Sequence, residues 1–270
     1  MKYYYVNQIF NFLGKTRLRM IFTIPFLIEI FIIVGLVSFL SYKSRKEAVN
    51  DVASQLRKEM ILKIVTYIER ELSNLVVINK LNVDAIQRGD LNLNDNNPQR
   101  EYYLWQIIQT FGQVGWVYLG SQEMGQYLGV YRKPDTGELR FSVINSSTNY
   151  FTFDYAVNSQ GKRAKLMKKF TVPYDARKRP WYKESVKVGK LYWVPICAGI
   201  DYNTYFLGLS QPIYDQNNNL LGAIGVGYQL DHIENFLSKL KISTHGQTFI
   251  FDQARLFVAS STKELSLNTT

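Results

Sequence analysis

Twenty-one consecutive residues, Met20 to Leu40, contain a single ionisable side chain, Glu29. That length crosses a hydrocarbon layer of about 30 Å at about 1.5 Å per residue. The apolar character runs all round the helix, so the segment is predicted to span a membrane rather than sit in a globular core. The run is longer than the h-region of a signal peptide, and no small-x-small cleavage site follows it. Lys15, Arg17 and Arg19 precede it in a leader free of acids, which places residues 1–19 in the cytoplasm by the positive-inside tendency. Lys43, Arg45 and Lys46 follow on the other side, and no second apolar run returns the chain. The expectation is therefore a single-pass protein of the inner (plasma) membrane with its bulk outside the cytoplasm. Glu29 has two readings: pairing across a dimer, or a protonated acid carried by its Ile, Leu and Phe neighbours.

Beyond the span, Val49, Val52, Leu56, Met60, Ile64, Ile68, Leu72 and Leu75 recur every three or four residues, one face of a helix. No Gly or Pro breaks the stretch from Ser44 to Lys80. The transmembrane helix is predicted to continue outward as a stalk, its apolar face serving as a homodimer seam, as a bed for the next domain, or as both at different heights. Gly89 to Asn97 form a polar loop, and Asn97-Pro98 opens a short helix closed near Gly112. The period then changes to that of strands at 116–119, 126–132, 138–146, 149–156, 164–172, 191–196, 205–214 and 220–230, with a helix capped by Asp231 running to about Leu240. This order makes an α+β fold rather than a βαβ one. The segment 248–261 repeats the strand–turn–strand pattern of 116–132, as though a second unit begins there.

The net charge of +10 is local. Eleven basic residues lie between Lys162 and Lys190 against only Asp175 and Glu184, so this stretch carries +9. A nucleic-acid binder spreads its charge along a face or tail, and no nucleic-acid partner is expected. Two histidines (His232, His245) and one cysteine (Cys197) leave no zinc framework or disulfide scaffold. With no Gly-x-Ser-x-Gly elbow and no His-Glu-x-x-His, neither enzymatic activity nor a cofactor is expected.

The chemistry concentrates in Tyr174-Asp-Ala-Arg-Lys-Arg-Pro-Trp-Tyr182. Tyr174, Arg179, Trp181 and Tyr182 set one guanidinium among three aromatic rings. Such a fork can hold a carboxylate or phosphate through two hydrogen bonds, and the rings can close a small-molecule pocket. An arginine stacked on aromatics in a solvated loop fits the same residues. The other basic residues nearby read as a wet hairpin or as attraction to anionic surfaces.

Together with Pro195, Pro212-Ile-Tyr214 and Leu221-Gly-Ala-Ile-Gly-Val-Gly-Tyr-Gln-Leu-Asp231, this segment closely resembles the extracytoplasmic double Cache (dCache) sensor domains. The anchor and stalk, including Ala48-Val-Asn-Asp-Val-Ala-Ser-Gln-Leu-Arg57, look like those of cyanobacterial membrane receptors whose outputs are histidine kinases or nucleotide cyclases. The resemblance covers residues 20 to about 262. It implies two stacked PAS-like subdomains, with a ligand in the membrane-distal one held by Tyr174, Arg179, Trp181 and Tyr182. It also implies, in members that sense amino acids, a tyrosine after a proline and an aspartate near the end of the last strand, which takes the ligand amine. Here Ile196 follows Pro195, and Gly227 stands in the aspartate's place.

The expected organisation is a leader (1–19), a transmembrane helix (20–40), a stalk helix (41–92), a membrane-distal Cache subdomain (93–235) and an incomplete membrane-proximal one (236–270), in a fragment of a longer receptor. The expected function is sensing of a carboxylate-bearing or anionic small molecule. The alternative is a truncated or partner-sensing membrane-anchored domain with no small-molecule ligand.

Overall fold

The computed structural model describes residues 18–94, 98–198, 205–240, 246–253, 255 and 257–262. The leader up to Arg17, the expected cap Asn97, and Tyr202 and His245 lie outside them. The chain divides into two compact units, residues 1–62 and 63–270. Helix α1 runs without a break from Leu18 to Gln87.

In the first unit, the apolar side chains from Phe22 to Leu40 are exposed on every face of α1. This is one helix long and apolar enough, by length and composition, to cross a membrane. Val49, Val52 and Leu56 are also exposed, at 66%, 57% and 53%.

In the second unit the same stripe is covered. Ile64, Leu75 and Ile78 are buried, and Ile68 and Leu72 pack against the core they enter. Packing on the following domain therefore begins at Ile64. The helix stops where Gly89, at φ +81°, turns its N–H back to the Ile86 carbonyl. Gly adopts that left-handed conformation at little cost. Helix α2, Pro98–Thr110, buries Leu104 and Ile108.

Eight strands follow: β1 Val114–Ser121, β2 Tyr127–Arg132, β3 Leu139–Ile144, β4 Phe151–Val157, β5 Arg163–Pro173, β6 Tyr192–Ala198, β7 Tyr205–Tyr214 and β8 Leu220–Gln229. They form one antiparallel sheet in the order β5-β4-β3-β2-β1-β8-β7-β6. Helix α3, Pro180–Val188, lies between β5 and β6 in the chain, and α4, Asp231–Lys239, follows β8. A separate hairpin, β9 Phe249–Phe251 with β10 Phe257–Ser260, falls on the expected strand–turn–strand segment.

This is the α+β architecture the residue pattern predicts, with three differences. The third strand ends at Ile144 because Asn145 turns its side chain to accept the Ser147 N–H, capping a 3₁₀ turn at Ser146–Thr148. Asp231 lies one residue inside α4, whose cap position is Leu230. Helix α3 was not expected. Pro180 occupies its first turn and Gly189, at φ +70°, closes it by donating to Ser185 and Val186, the proline-in, glycine-out signature of a short helix.

Strand alternation gives the sheet two different faces. Val117, Leu119, Leu128, Val130, Phe141, Val143, Leu209, Ile224, Val226 and Tyr228 point to one side and join α1 and α2 in the main core. Trp116, Tyr118, Tyr127, Ile144 and Ala223 point to the other, where Ala176, Trp181 and Tyr182 complete a second, smaller cluster.

Candidate functional site

Glycine makes the second face possible. A Cβ on Gly225 would lie 2.4 Å from the Tyr118 ring, and one on Gly129 would lie 2.6 Å from the Tyr127 hydroxyl and 2.9 Å from Trp116 Nε1. On Gly120 it would meet Ala176 Cβ at 2.8 Å and Trp181 at 3.0 Å. The central strands thus present bare backbone on which aromatic rings lie.

The segment 174–182 closes over these rings. Asp175 caps the 3₁₀ turn Ala176–Lys178 by accepting the Arg177 N–H. Its carboxylate also accepts from Nε and Nη2 of Arg177, each at 2.9 Å. That pairing, chiefly the hydrogen bonds from Arg177, holds the Asp175 carboxyl below the usual carboxylate range. Arg177 Nη1 donates to the Gln122 carbonyl at 3.2 Å, and the Tyr182 hydroxyl donates to Gln122 Oε1 at 2.8 Å. The β1–β2 turn and the motif are therefore clipped together.

All four expected site residues gather here. Trp181 Nε1 donates to the Tyr174 hydroxyl at 3.3 Å, and the Trp181 and Tyr182 rings lie 5.4 Å apart. The Arg179 guanidinium sits 4.2 Å above the centre of the Tyr174 ring, a cation–π contact. Four residues that the motif alone did not point to belong to the same constellation. Tyr118 packs on Trp181 at 4.8 Å, Tyr127 on Tyr174 at 5.2 Å, and Trp116 on Tyr131 at 5.0 Å. Their signal is the two-residue alternation Trp116/Tyr118 and Tyr127/Gly129/Tyr131, visible once the strands are assigned.

Burial pushes the hydroxyl pKa values of Tyr118, Tyr127, Tyr174 and Tyr182 upward, so these groups are neutral donors and acceptors. Farther along the face Asp154, 4% exposed, accepts from Tyr131 at 2.7 Å and from Ser142. Among the described residues no group of three or more His, Cys, Asp or Glu is placed to hold a metal ion.

Two positions singled out by the family pattern are also located. Gly227 lies on this aromatic face, where a Cβ would be 3.2 Å from Trp116 Cβ. Ile196 packs against the main core instead. Tyr228 is fully buried in the main core, on the opposite side of the sheet. Tyr192 pairs with Ser210, and Trp193, 39% exposed, with Leu209, both at the β6 edge.

A helix entering an antiparallel sheet, with an aromatic and arginine-bearing segment folded over one face, defines a sensor domain of the PAS-like PDC/Cache class. The family model for the methyl-accepting chemotaxis protein-like first PDC sensor domain matches residues 101–235, half of the chain. The chain belongs to that family, and this is a sensing rather than a catalytic domain.

Two solved structures share the fold, those of Mlp24 and Tlp1. The ligand binding domain of Mlp24 with asparagine is 16% identical, with 80% of this chain and 73% of that one covered at a TM-score of 0.50. The periplasmic sensory domain of the Campylobacter jejuni chemoreceptor Tlp1 is 12% identical, with 77% and 72% covered and a TM-score of 0.50. The ligand binding domain of the Pseudomonas aeruginosa PAO1 amino acid chemoreceptor PctC in complex with GABA is 16% identical, with 72% and 66% covered and a TM-score of 0.45. The chain thus spans about two thirds of the PctC domain's length. No curated protein matches the sequence.

Proposed function

We propose that the chain is the anchor and extracytoplasmic sensing part of a membrane receptor, and that it binds a carboxylate-bearing or anionic small molecule through Tyr174, Arg179, Trp181 and Tyr182. The observation that carries this reading is the placement of Arg179 within the aromatic face. Its guanidinium lies on the ring of Tyr174, whose hydroxyl accepts from Trp181, while its planar donors suit a carboxylate. Asparagine, named for the Mlp24 domain of the same fold, is one carboxylate-bearing molecule. Gly227 supplies no counter-charge for an amine, and Trp116 crowds the space a side chain there would need. The preferred ligand is therefore a carboxylate or other anion whose binding does not depend on an α-amino group.

In this proposal residues 20–40 span the inner membrane once, 1–19 are cytoplasmic, and 41–92 form the stalk of a homodimer through Val49, Val52 and Leu56. Residues 93–235 form the membrane-distal subdomain of a double Cache arrangement, and 236–270 begin the proximal one. The output is a kinase or cyclase of the cyanobacterial receptor type.

The test is a thermal-shift screen of the full chain in detergent micelles against carboxylates, amino acids, purines and amines, repeated on Arg179→Ala. A ligand that binds the folded state raises the midpoint as RT ln(1 + [L]/Kd). A carboxylate should stabilise the wild type and fail on Arg179→Ala. If nothing shifts a well-folded wild type, the second reading, sensing of a partner protein, gains ground. The exposed Lys165, Lys168 and Lys169 on edge strand β5 favour that alternative.

A further inference from the structure

On the core side of the sheet, away from the aromatic face, a polar cluster joins α1, β8 and α4. Glu71 on α1 is 5% exposed. Its Oε1 accepts from its neighbour Arg70 at 2.9 Å, while its Oε2 is buried without a hydrogen-bond partner. Tyr67, one turn earlier, stacks flat on Phe236 of α4 with ring centres 3.8 Å apart. Its hydroxyl lies 3.4 Å from both the Tyr228 hydroxyl and the His232 carbonyl oxygen. The Tyr228 ring is 5.8 Å from the His232 imidazole, whose Nε2 is also buried and unpartnered. Buried polar atoms without partners are costly and rare. Here a carboxylate oxygen and an imidazole nitrogen are both in that condition, within one charge-coupled group.

We propose that this cluster is an acid-labile latch that holds α4 against the long helix and releases it when His232 takes up a proton.

The charges that act on His232 are Asp231 on its own helix, Glu71 on α1 and Arg132 on β2, while Arg70 acts on the neighbouring Tyr228, whose hydroxyl, like that of Tyr67, is neutral. Burial is the largest influence and lowers the His232 pKa below 6.5. Asp231 and Glu71 oppose it and Arg132 adds to it.

The sign follows from linkage. An imidazole released into water regains its ordinary pKa near 6.5, so the packed state is fully favoured above that value and loses ground as pH falls below it. Asp231 works the other way, because burial raises its carboxyl pKa and favours the packed state where that group is protonated. The release therefore sets in as pH falls below about 6.5. Tyr228, its hydroxyl pKa raised by burial, stays neutral throughout.

The experiment is hydrogen exchange of the full chain in micelles at pH 7.5 and 5.5, corrected for the intrinsic pH dependence of exchange. Protection of residues 64–75 and 231–239 should fall by up to about tenfold, because pH 5.5 lies one unit below the ordinary imidazole pKa near 6.5. Protection of α2 should hold. His232→Gln should abolish the acid response. Glu71→Gln, by removing a charge that favours the imidazolium in the packed state, should enlarge the loss of protection between pH 7.5 and pH 5.5. A pH-independent wild type, or an acid response that survives His232→Gln, would overturn the latch. If His232→Gln does not fold, Glu71→Gln decides: a larger acid loss of protection than in the wild type supports the latch, and an unchanged loss rejects it.

Discussion

At the scale of single residues, the aromatic face depends on what its glycines lack. Gly225→Ala would drive a methyl into the Tyr118 ring, 2.4 Å away in the unrelaxed geometry. Overpacking of this kind costs about 1–3 kcal/mol, and a lowered denaturation midpoint with an unchanged denaturant slope should report it. Glycine's part in this site was hard to read in the sequence, because a missing side chain has no chemistry to notice. The motif residues were legible for the opposite reason: an arginine among three aromatic rings stands out by its chemistry. Trp116, Tyr118 and Tyr127 escaped notice because their role follows from which side of the sheet they face. That side is fixed only when the register of β1 against β2 and β8 is known.

Among the elements, α1 and the strands were legible because their periods of 3.6 and 2 are long and clean. Helix α3 was not. Its nine residues carry mostly charges and aromatics, and its proline and glycine end-marks stand inside a stretch whose basic charge dominates the eye. That charge does have a structural use on β5, an edge strand that presents Lys165, Lys168 and Lys169 beside exposed Leu166, Met167 and Val172. Lysines on an edge discourage pairing with another chain. Replacing Lys165 and Lys169 by Val should therefore produce concentration-dependent self-association, visible in sedimentation velocity, while the isolated fold is retained.

For the whole molecule, the proposed membrane span of α1 makes a prediction about where the chain resides. The intact protein should stay with the membrane pellet through alkaline extraction, and deletion of residues 18–43 should move it to the supernatant. The sheet bears on a different property. Strands β1 to β5 form one sequential meander and β6 to β8 another, and they meet along a single seam where Val117 pairs with Val226 and Leu119 with Ile224. Every other strand pair joins neighbours in sequence, but the seam closes a loop of roughly a hundred residues, whose entropy must be met before its contacts form. The two meanders can therefore form quickly and locally, and the rate at which the sheet assembles is set by the encounter of its first strand with its last.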